Sequence, residues 1–168
     1  MAEPGTSGAL DRDAFVARYG PLFERSPWVA EAAYDRGPFS DRATLFEALT
    51  AAMYDAARER QLELIRAHPD LAGRAAVEGT LTPDSEREQS SAGLDRLSPE
   101  QYEAFTHANA AYRERFGFPF VVCVREHDRE SILAAARQRL QHDPDTEVGA
   151  ALVEIAKIAR LRLEDLPA

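Results

Sequence analysis

Several features are scarce in this sequence, and each shortage excludes a class of protein. There is one cysteine, Cys123, so no disulfide can form within the chain. No apolar run approaches the roughly 20 residues that a membrane-spanning helix needs. The start, MAEPGTSGAL, lacks the basic and apolar blocks of a signal peptide, and the end, EDLPA, does not form a peroxisomal address. We therefore expect a cytoplasmic protein with no membrane partner.

Basic residues are fewer than acidic ones, 20 against 29, which gives a formal net charge of -9. A general nucleic-acid-binding protein usually carries a basic face, so we expect no nucleic-acid partner. The sequence also contains no HExxH motif, no Walker loop and no GxGxxG motif. Four histidines and one cysteine make a poor ligand set for a structural zinc site, so we expect no metal.

The composition that remains is that of one folded domain. A length of 168 residues suits a domain of ordinary size, and 45% hydrophobic residues can form a packed core. Residues 1–8 are small and polar, which predicts a disordered or frayed N-terminus. The sequence shows no internal repeat and no linker-like break. We therefore predict a single domain over residues 9–168.

Helix start and stop signals recur along the chain. Capping residues and glycines predict two short helices, over residues 11–20 and 26–37. A longer helical pattern covers residues 40–68, with Ser40 as its cap and apolar residues three or four apart on one face. Pro69 ends this pattern, because proline disfavours a helical conformation in the residue before it.

The second half of the chain repeats the same signals. Helices are predicted over residues 82–97, 98–117, 128–143 and 143–166, and a cap followed by proline opens three of them. Residues 118–124, FPFVVCV, form the one β-like run, which is too short and isolated to make a sheet. The prediction is an all-α bundle of about seven to eight helices with one short extended segment.

Polar residues converge on one predicted helix face. Ser85, Glu88 and Gln89 are spaced i, i+3, i+4, so they share a face. Ser85 lies in the first turn, where free backbone N–H groups favour a negatively charged guest. A hydroxyl, a carboxylate and an amide together can bind a small, densely polar molecule. The same spacing also occurs on an ordinary solvated helix face.

Two further residues are candidates for chemistry. His68 stands at a helix end before Pro69, which gives the imidazole a defined direction, and histidine titrates in the range useful for a general acid or base. A histidine at this position can also simply bind the last helix carbonyls. Arg162 follows an apolar stripe and is predicted to point partly inward, with Arg160 as its rival. Cys123 is predicted to be a core residue.

Four blocks in order carry a resemblance to a known family. HPDLAG, SEREQSSAGL, FGFPFVVCVR and IARLRLEDL are similar to blocks of the OHCU decarboxylases. The likeness runs from about residue 10 to the end, and the four blocks together make it specific. Members act on 2-oxo-4-hydroxy-4-carboxy-5-ureidoimidazoline (OHCU), the unstable second product of urate oxidation. The resemblance implies an all-helical, cofactor-free carboxy-lyase that releases (S)-allantoin and CO2, the last step of urate-to-allantoin degradation in purine catabolism.

The resemblance also implies roles for single residues. The catalytic histidine and glutamate of the family correspond to His68 and Glu88, and the site-lining proline corresponds to Pro69. The substrate-binding residues of the family correspond to Ser85, Gln89, Arg162 and the backbone of Phe120, Val121, Val122, Cys123 and Val124. The substrate OHCU is the expected small-molecule partner, and a homodimer is a weaker expectation carried over from the family.

Three alternative functions remain open from the sequence. A hydrolase or lyase for a related ureide would use the same polar set. A non-enzymatic helical interaction module would show an exposed apolar stripe and tolerate loss of His68 or Glu88. A zinc hydrolase using His68 and Asp70 has no second histidine at a supporting spacing. The sequence does not decide whether His68 acts first as a base or as an acid.

Overall fold

The computed structural model describes residues 10–167, and the regular secondary structure in that range is entirely helical. This confirms the all-α prediction, whereas the prediction for residues 1–8 lies outside the described residues. None of the described helices is both long and apolar enough to cross a bilayer. The α-helices are α1 (Arg12–Tyr19), α2 (Trp28–Tyr34), α3 (Arg42–Asp55), α4 (Arg58–Arg66), α5 (Arg74–Glu78), α6 (Pro83–Ser91), α7 (Pro99–Phe116), α8 (Arg129–Arg139) and α9 (Pro144–Asp165).

Most helices begin where their capping residues predict, although α6 and α8 end at Ser91 and Arg139, before the predicted residues 97 and 143. The Asp11 carboxylate accepts a backbone N–H at the start of α1, and the Thr82 hydroxyl does the same for α6. Ser98 and Gln101 form a reciprocal capping box that opens α7. Gly117 ends α7 with a φ of 76°, a left-handed conformation that favours glycine.

The single long helix predicted before the His-Pro corner is two helices, α3 and α4. The prediction of Ser40 as its cap is also wrong, because Asp41 caps α3 in a capping box. The break has a side-chain cause: Gln61 is buried, and its Nε2 donates to the carbonyls of Met53 and Tyr54 at 3.2 and 3.1 Å. These carbonyls therefore have partners without a continuing helix. With the short α5, the break brings the total to nine α-helices among residues 10–167.

The described chain divides into two compact units. The first unit extends to Ala67 and resumes at Ala156, and the second unit is His68–Ile155. The long helix α9 therefore contributes residues to both. The prediction of one domain over residues 9–168 stays a prediction.

The core of the first unit forms around α1, α2 and α3, which pack on one another. The Phe15 ring is fully buried, and it lies edge-on to two tyrosine rings and stacks on a phenylalanine ring. Leu45, Leu49 and Met53 of α3 are buried, which confirms the apolar face predicted from their spacing.

The core of the second unit contains an aromatic cluster beside the extended segment. Tyr112 of α7 is fully buried, and its ring contacts those of Phe116, Phe118 and Phe120. The segment 118–124 is buried throughout and joins no sheet within the described residues, as predicted. It ends in a short 3-10 turn, Val124–Glu126, that packs against α6. Because no strand pairs with the segment, part of its backbone hydrogen-bonds to side chains.

Candidate active site

The loop that follows His68 is fixed by side chains of α7. His68 is buried, with 7% of its surface exposed, and the proline after it is half-buried. Arg113 Nε donates to both carboxylate oxygens of Asp70, at 3.0 and 3.2 Å. Asn109 Nδ2 donates to the Leu71 carbonyl at 2.9 Å. Side chains of α7 therefore bind two successive residues of this loop, Asp70 and Leu71.

Gln89 of α6 holds the same loop from another element. Its Oε1 accepts the Ala72 N–H at 3.0 Å, and its Nε2 donates to the Asp70 carbonyl at 3.4 Å. Ala72 has a φ of 51°, a conformation that is unfavourable for a residue with a side chain. The hydrogen bond that Ala72 donates to Gln89 helps to stabilise that conformation. A primary amide has two donor hydrogens and two acceptor lone pairs, so these bonds do not exhaust it.

The polar face predicted on α6 exists and is turned largely inward. Ser85 and Gln89 are buried, with 6% and 4% of their surfaces exposed, and Glu88 is half-buried. The Ser85 N–H donates to the Thr82 hydroxyl at 3.3 Å, which places Ser85 in the first turn as predicted. The structure thus confirms the shared face rather than the solvated alternative.

Glu88 also lies near the extended segment. Burial, and to a smaller degree the carboxylates of Glu126, Glu154 and Glu88 in that order, raise the pKa of the Cys123 thiol to about 11. The packing of α6 on the 3-10 turn brings this helix to the end of the extended segment.

Arg162 belongs to the first unit and points inward, as its position beside the apolar stripe predicted. It is 6% exposed, its Nη2 contacts Glu24 Oε2 at 3.0 Å, and its Nη1 donates to the Pro21 carbonyl at 3.2 Å. Glu24 is equally buried, with 2% of its surface exposed. The rival Arg160 is half exposed and lies 3.9 Å from a carboxylate one helical turn away. Arg162 is therefore the inward arginine of the pair.

The sequence analysis missed the residues that hold these groups in place. Asn109 and Arg113 are four residues apart, so their shared helix face was a detectable signal. Glu24 gave a weaker one, a carboxylate directly after the apolar run Leu22–Phe23. Nothing in the local sequence indicated that Gln89 would bind the loop after His68, because the two are distant in sequence.

The remaining three histidines make other contacts. His107 is exposed beside Glu103, and the His127 ring contacts the Ser131 hydroxyl at 3.0 Å. His142 lies 2.8 Å from Glu147. Among residues 10–167, no group of three or more histidine, cysteine, aspartate or glutamate side chains has the geometry of a metal site.

The structure is that of an all-α protein. One of its helical units brings together a buried histidine corner, a polar helix face and an extended segment as a candidate small-molecule site. The family model described as OHCU decarboxylase matches residues 8–164. The chain therefore belongs to the OHCU decarboxylase family.

Relatives and solved structures agree with this placement. The chain is 49% identical over 156 residues to the 2-oxo-4-hydroxy-4-carboxy-5-ureidoimidazoline decarboxylase of Haloferax volcanii, covering 93% of this chain and 90% of that protein. It is 42% identical over 158 residues to the mouse (Mus musculus) protein of the same name, covering 94% and 89%. The crystal structure of (S)-allantoin synthase superposes with a TM-score of 0.73 at 29% identity, over 93% of this chain and 50% of that one, so this chain spans about half its length. A crystal structure of OHCU decarboxylase in the presence of (S)-allantoin shares the fold, with a TM-score of 0.66 at 24% identity, over 81% of this chain and 87% of that one.

Proposed function

We propose that this protein catalyses the decarboxylation of OHCU to (S)-allantoin and CO2, the last step from urate to allantoin. The observation that carries the proposal is the family membership over nearly the whole chain, together with the burial of His68, Ser85 and Gln89 in one unit. A cluster of buried polar groups that includes an imidazole, beside a loop fixed by side chains, supports a binding site.

The chemistry of this substrate suits a site made of amino-acid side chains. When the bond to the carboxylate breaks, its electron pair moves into the adjacent ring C=N, and the ring nitrogen takes a proton. The resulting enol loses its hydroxyl proton, and the carbon that bears the ureido group gains a proton. The substrate supplies its own electron sink, so the reaction requires no organic cofactor. Chirality is decided when that last proton arrives on one face.

His68 and Glu88 are the residues we assign to proton transfer. His68 either delivers the proton to carbon or first removes the hydroxyl proton, and its fixed corner supports both roles because general acid–base catalysis depends on position. Glu88, on the neighbouring face of α6, orients the imidazole or takes part in the proton transfer. Acid–base catalysis of this kind contributes about 10²–10⁴-fold to the rate.

The other assigned residues bind the substrate. Ser85 and Gln89 offer a hydroxyl and an amide, which match the donors and acceptors of the ureido group and the ring. The segment Phe120–Val124 offers backbone groups, and Pro69 lines the site. Arg162 is assigned separately to anchor a planar polar group, because a guanidinium forms paired hydrogen bonds with such groups.

Circular dichroism on freshly made substrate tests the proposal. Urate is converted by urate oxidase and hydroxyisourate hydrolase, and the protein or a variant is added. We expect fast growth of an (S)-allantoin signal with the wild type and with His107→Ala, an exposed-histidine control. His68→Ala and Glu88→Gln should lose most of this activity, whereas Glu86→Gln on the exposed side of α6 should retain it.

Three outcomes would count against the proposal. A wild-type signal no faster than spontaneous decay would refute the decarboxylase activity and favour turnover of a related ureide or an interaction module. Full activity and stereoselectivity in His68→Ala would remove the histidine from proton transfer, and near-normal turnover in Glu88→Gln would remove the glutamate. A homodimer and a cytoplasmic location stay predictions; light scattering would test the first against the monomer mass of 18.6 kDa.

A further inference from the structure

A buried polar network lies in the second unit, beside the extended segment but outside the residues assigned above. Glu147 at the start of α9 is fully buried, and its Oε1 accepts from Arg139 Nε at 2.7 Å. The Tyr112 hydroxyl also donates to this carboxylate, whose other oxygen lies 2.8 Å from His142 Nδ1. Burial and the neighbouring carboxylate raise the pKa of Tyr112, so its hydroxyl stays protonated and acts as a donor.

Arg139 connects this network to the extended segment. Its side chain is 10% exposed, and its Nη1 donates to the Val121 carbonyl at 2.5 Å. Its guanidinium carbon lies 4.6 Å from the centre of the Phe120 ring, a cation–π distance. One guanidinium therefore contacts two successive residues of the segment, and Glu147 holds it from the other side.

The segment needs such contacts because it has no regular hydrogen-bonding partner. Within the described residues no strand pairs with it. The Cys123 and Val124 carbonyls accept backbone N–H groups of the residues that follow, whereas two other buried backbone groups bond to side chains. The Val121 carbonyl accepts from Arg139, and the Cys123 N–H donates to Glu154 Oε1 at 3.4 Å. The first of these contacts is charge-assisted and short, so it is the stronger constraint on the backbone.

We propose that Arg139, oriented by Glu147, is a positioning residue for substrate binding: it fixes the peptide units of Phe120–Val124 that contact the substrate. This inference rests on the proposed function, since that function is what gives the segment a ligand. A buried ion pair is expensive to desolvate and contributes little to stability by itself. A positioning role therefore explains the presence of this ion pair better than its contribution to stability does.

The first test reads the Val121 carbonyl directly, without activity. The sequence contains one Val-Val pair, Val121–Val122, so labelling valine with carbonyl carbon-13 and nitrogen-15 gives a single carbonyl–amide correlation in NMR. We expect this peak to move upfield in carbon-13 in Arg139→Lys, because lysine keeps the charge but cannot reach Glu147 and the carbonyl with one rigid fork. The peak should not move in Arg137→Lys, a matched control on the exposed side of α8.

The second test separates positioning from general destabilisation by steady-state kinetics on OHCU. Partial unfolding lowers the active fraction, so it lowers apparent kcat and leaves KM unchanged. A positioning defect instead raises KM, by about ten-fold for loss of one charge-assisted hydrogen bond. We expect this rise in Arg139→Lys. Tyr112→Phe removes a hydroxyl that contacts Glu147 and, at 3.5 Å, Arg139 Nη2. It leaves the Arg139–Val121 hydrogen bond intact, so KM should stay within two-fold, roughly the scale of error.

The results that would refute this inference differ from those that would refute the proposed function. A wild type without activity refutes the proposed function, whereas an active wild type with unchanged KM and an unmoved carbonyl peak in Arg139→Lys overturns this inference alone. An equal rise of KM in Tyr112→Phe also overturns it, because KM would then depend on the whole network rather than on the contact between Arg139 and the segment. If Arg139→Lys does not fold, Glu147→Gln decides: a raised KM with a shifted peak supports the inference, and no change in either contradicts it.

Discussion

Two buried arginine–glutamate pairs, one in each unit, differ in how their arginines are held. Arg162 contacts Glu24, which lies 138 positions earlier in the sequence, and one backbone carbonyl. Arg139 contacts Glu147 only 8 positions away, and its glutamate is also bound by a tyrosine and a histidine. The first pair holds an arginine that we expect to meet the substrate itself. The second holds an arginine that we propose acts on the substrate through a backbone segment.

The largest effect that this comparison predicts is on stability. Removing either glutamate leaves a buried arginine without its counter-ion, which costs about 3–5 kcal/mol of unfolding free energy. We expect Glu147→Ala to lie at the upper end of that range, because the Tyr112 and His142 contacts are lost as well. Glu24→Ala should lie within the same range. Urea unfolding of both variants measures the difference, with Glu86→Ala as an exposed control.

Equal losses below about 1 kcal/mol would contradict this prediction, since that is the range of exposed ion pairs. A larger loss for Glu24 would reverse the comparison and show that the first pair is the more important one for folding.

The next effect separates the two arginines by kinetics. Arg162→Lys keeps the charge but loses the planar fork, so contacts to Glu24 and the substrate cannot both be kept. We expect KM for OHCU to rise about ten-fold or more, on the scale of hydrogen bonds to charged groups. Arg160→Lys, two residues away and half exposed, is the control. An unchanged KM in Arg162→Lys would remove the arginine from substrate binding.

A smaller effect concerns the thiol in the segment that Arg139 holds. The pKa of Cys123 is raised to about 11, so near pH 8 roughly one thiol in a thousand is the reactive thiolate. Alkylation by iodoacetamide should therefore be slow at pH 8 and accelerate as the pH rises toward 11. Arg139→Lys should accelerate it at constant pH by loosening the segment. Fast labelling of the native wild type at pH 8 would contradict the closed segment.

The smallest effect compares helix caps in the two units. The pKa values of Asp41 in the first unit and of Asp128 and Asp143 in the second are lowered, chiefly by a backbone N–H bonding to each carboxylate. Each folded-state pKa lies below the unfolded value of about 3.9, so the charged cap stabilises the protein above that value. The contribution is lost as pH falls through the folded pKa.

Replacing each capping aspartate with asparagine tests whether the charged carboxylate stabilises the protein above its folded-state pKa. Asparagine still accepts the N–H but does not titrate, so each variant should be less stable than the wild type at pH 7, and the gap should narrow toward pH 3. Urea midpoints at both values measure it. A gap of the same size at both pH values would rule out the carboxylate charge as its source.

The sequence was a good guide to where helices start. Asp11, Thr82 and Ser98 were predicted as caps and are caps, because capping depends on a few neighbouring residues. The break between α3 and α4 was not predictable in the same way. It depends on Gln61 reaching back to carbonyls seven and eight residues earlier, and helical periodicity continues through that point.

The residues of the candidate site also fall into those that the sequence predicted and those that it did not. Spacing alone placed Ser85, Glu88 and Gln89 on one face, and the His-Pro pair marked the corner. The resemblance added roles for Arg162 and for the segment. Neither source indicated Asn109 or Arg113, which bind the loop after His68 across about forty residues of chain.

The sequence by itself therefore determined the helical class, the helix caps, the polar face of α6 and the family. These depend on periodicity, local backbone chemistry and short motifs. Only the tertiary structure decided which buried groups share a hydrogen bond: Glu24 with Arg162, Gln89 with the loop at Ala72, and Arg139 with the Val121 carbonyl. The physical reason is that burial forces polar groups to find partners in space, and packing rather than sequence distance selects those partners.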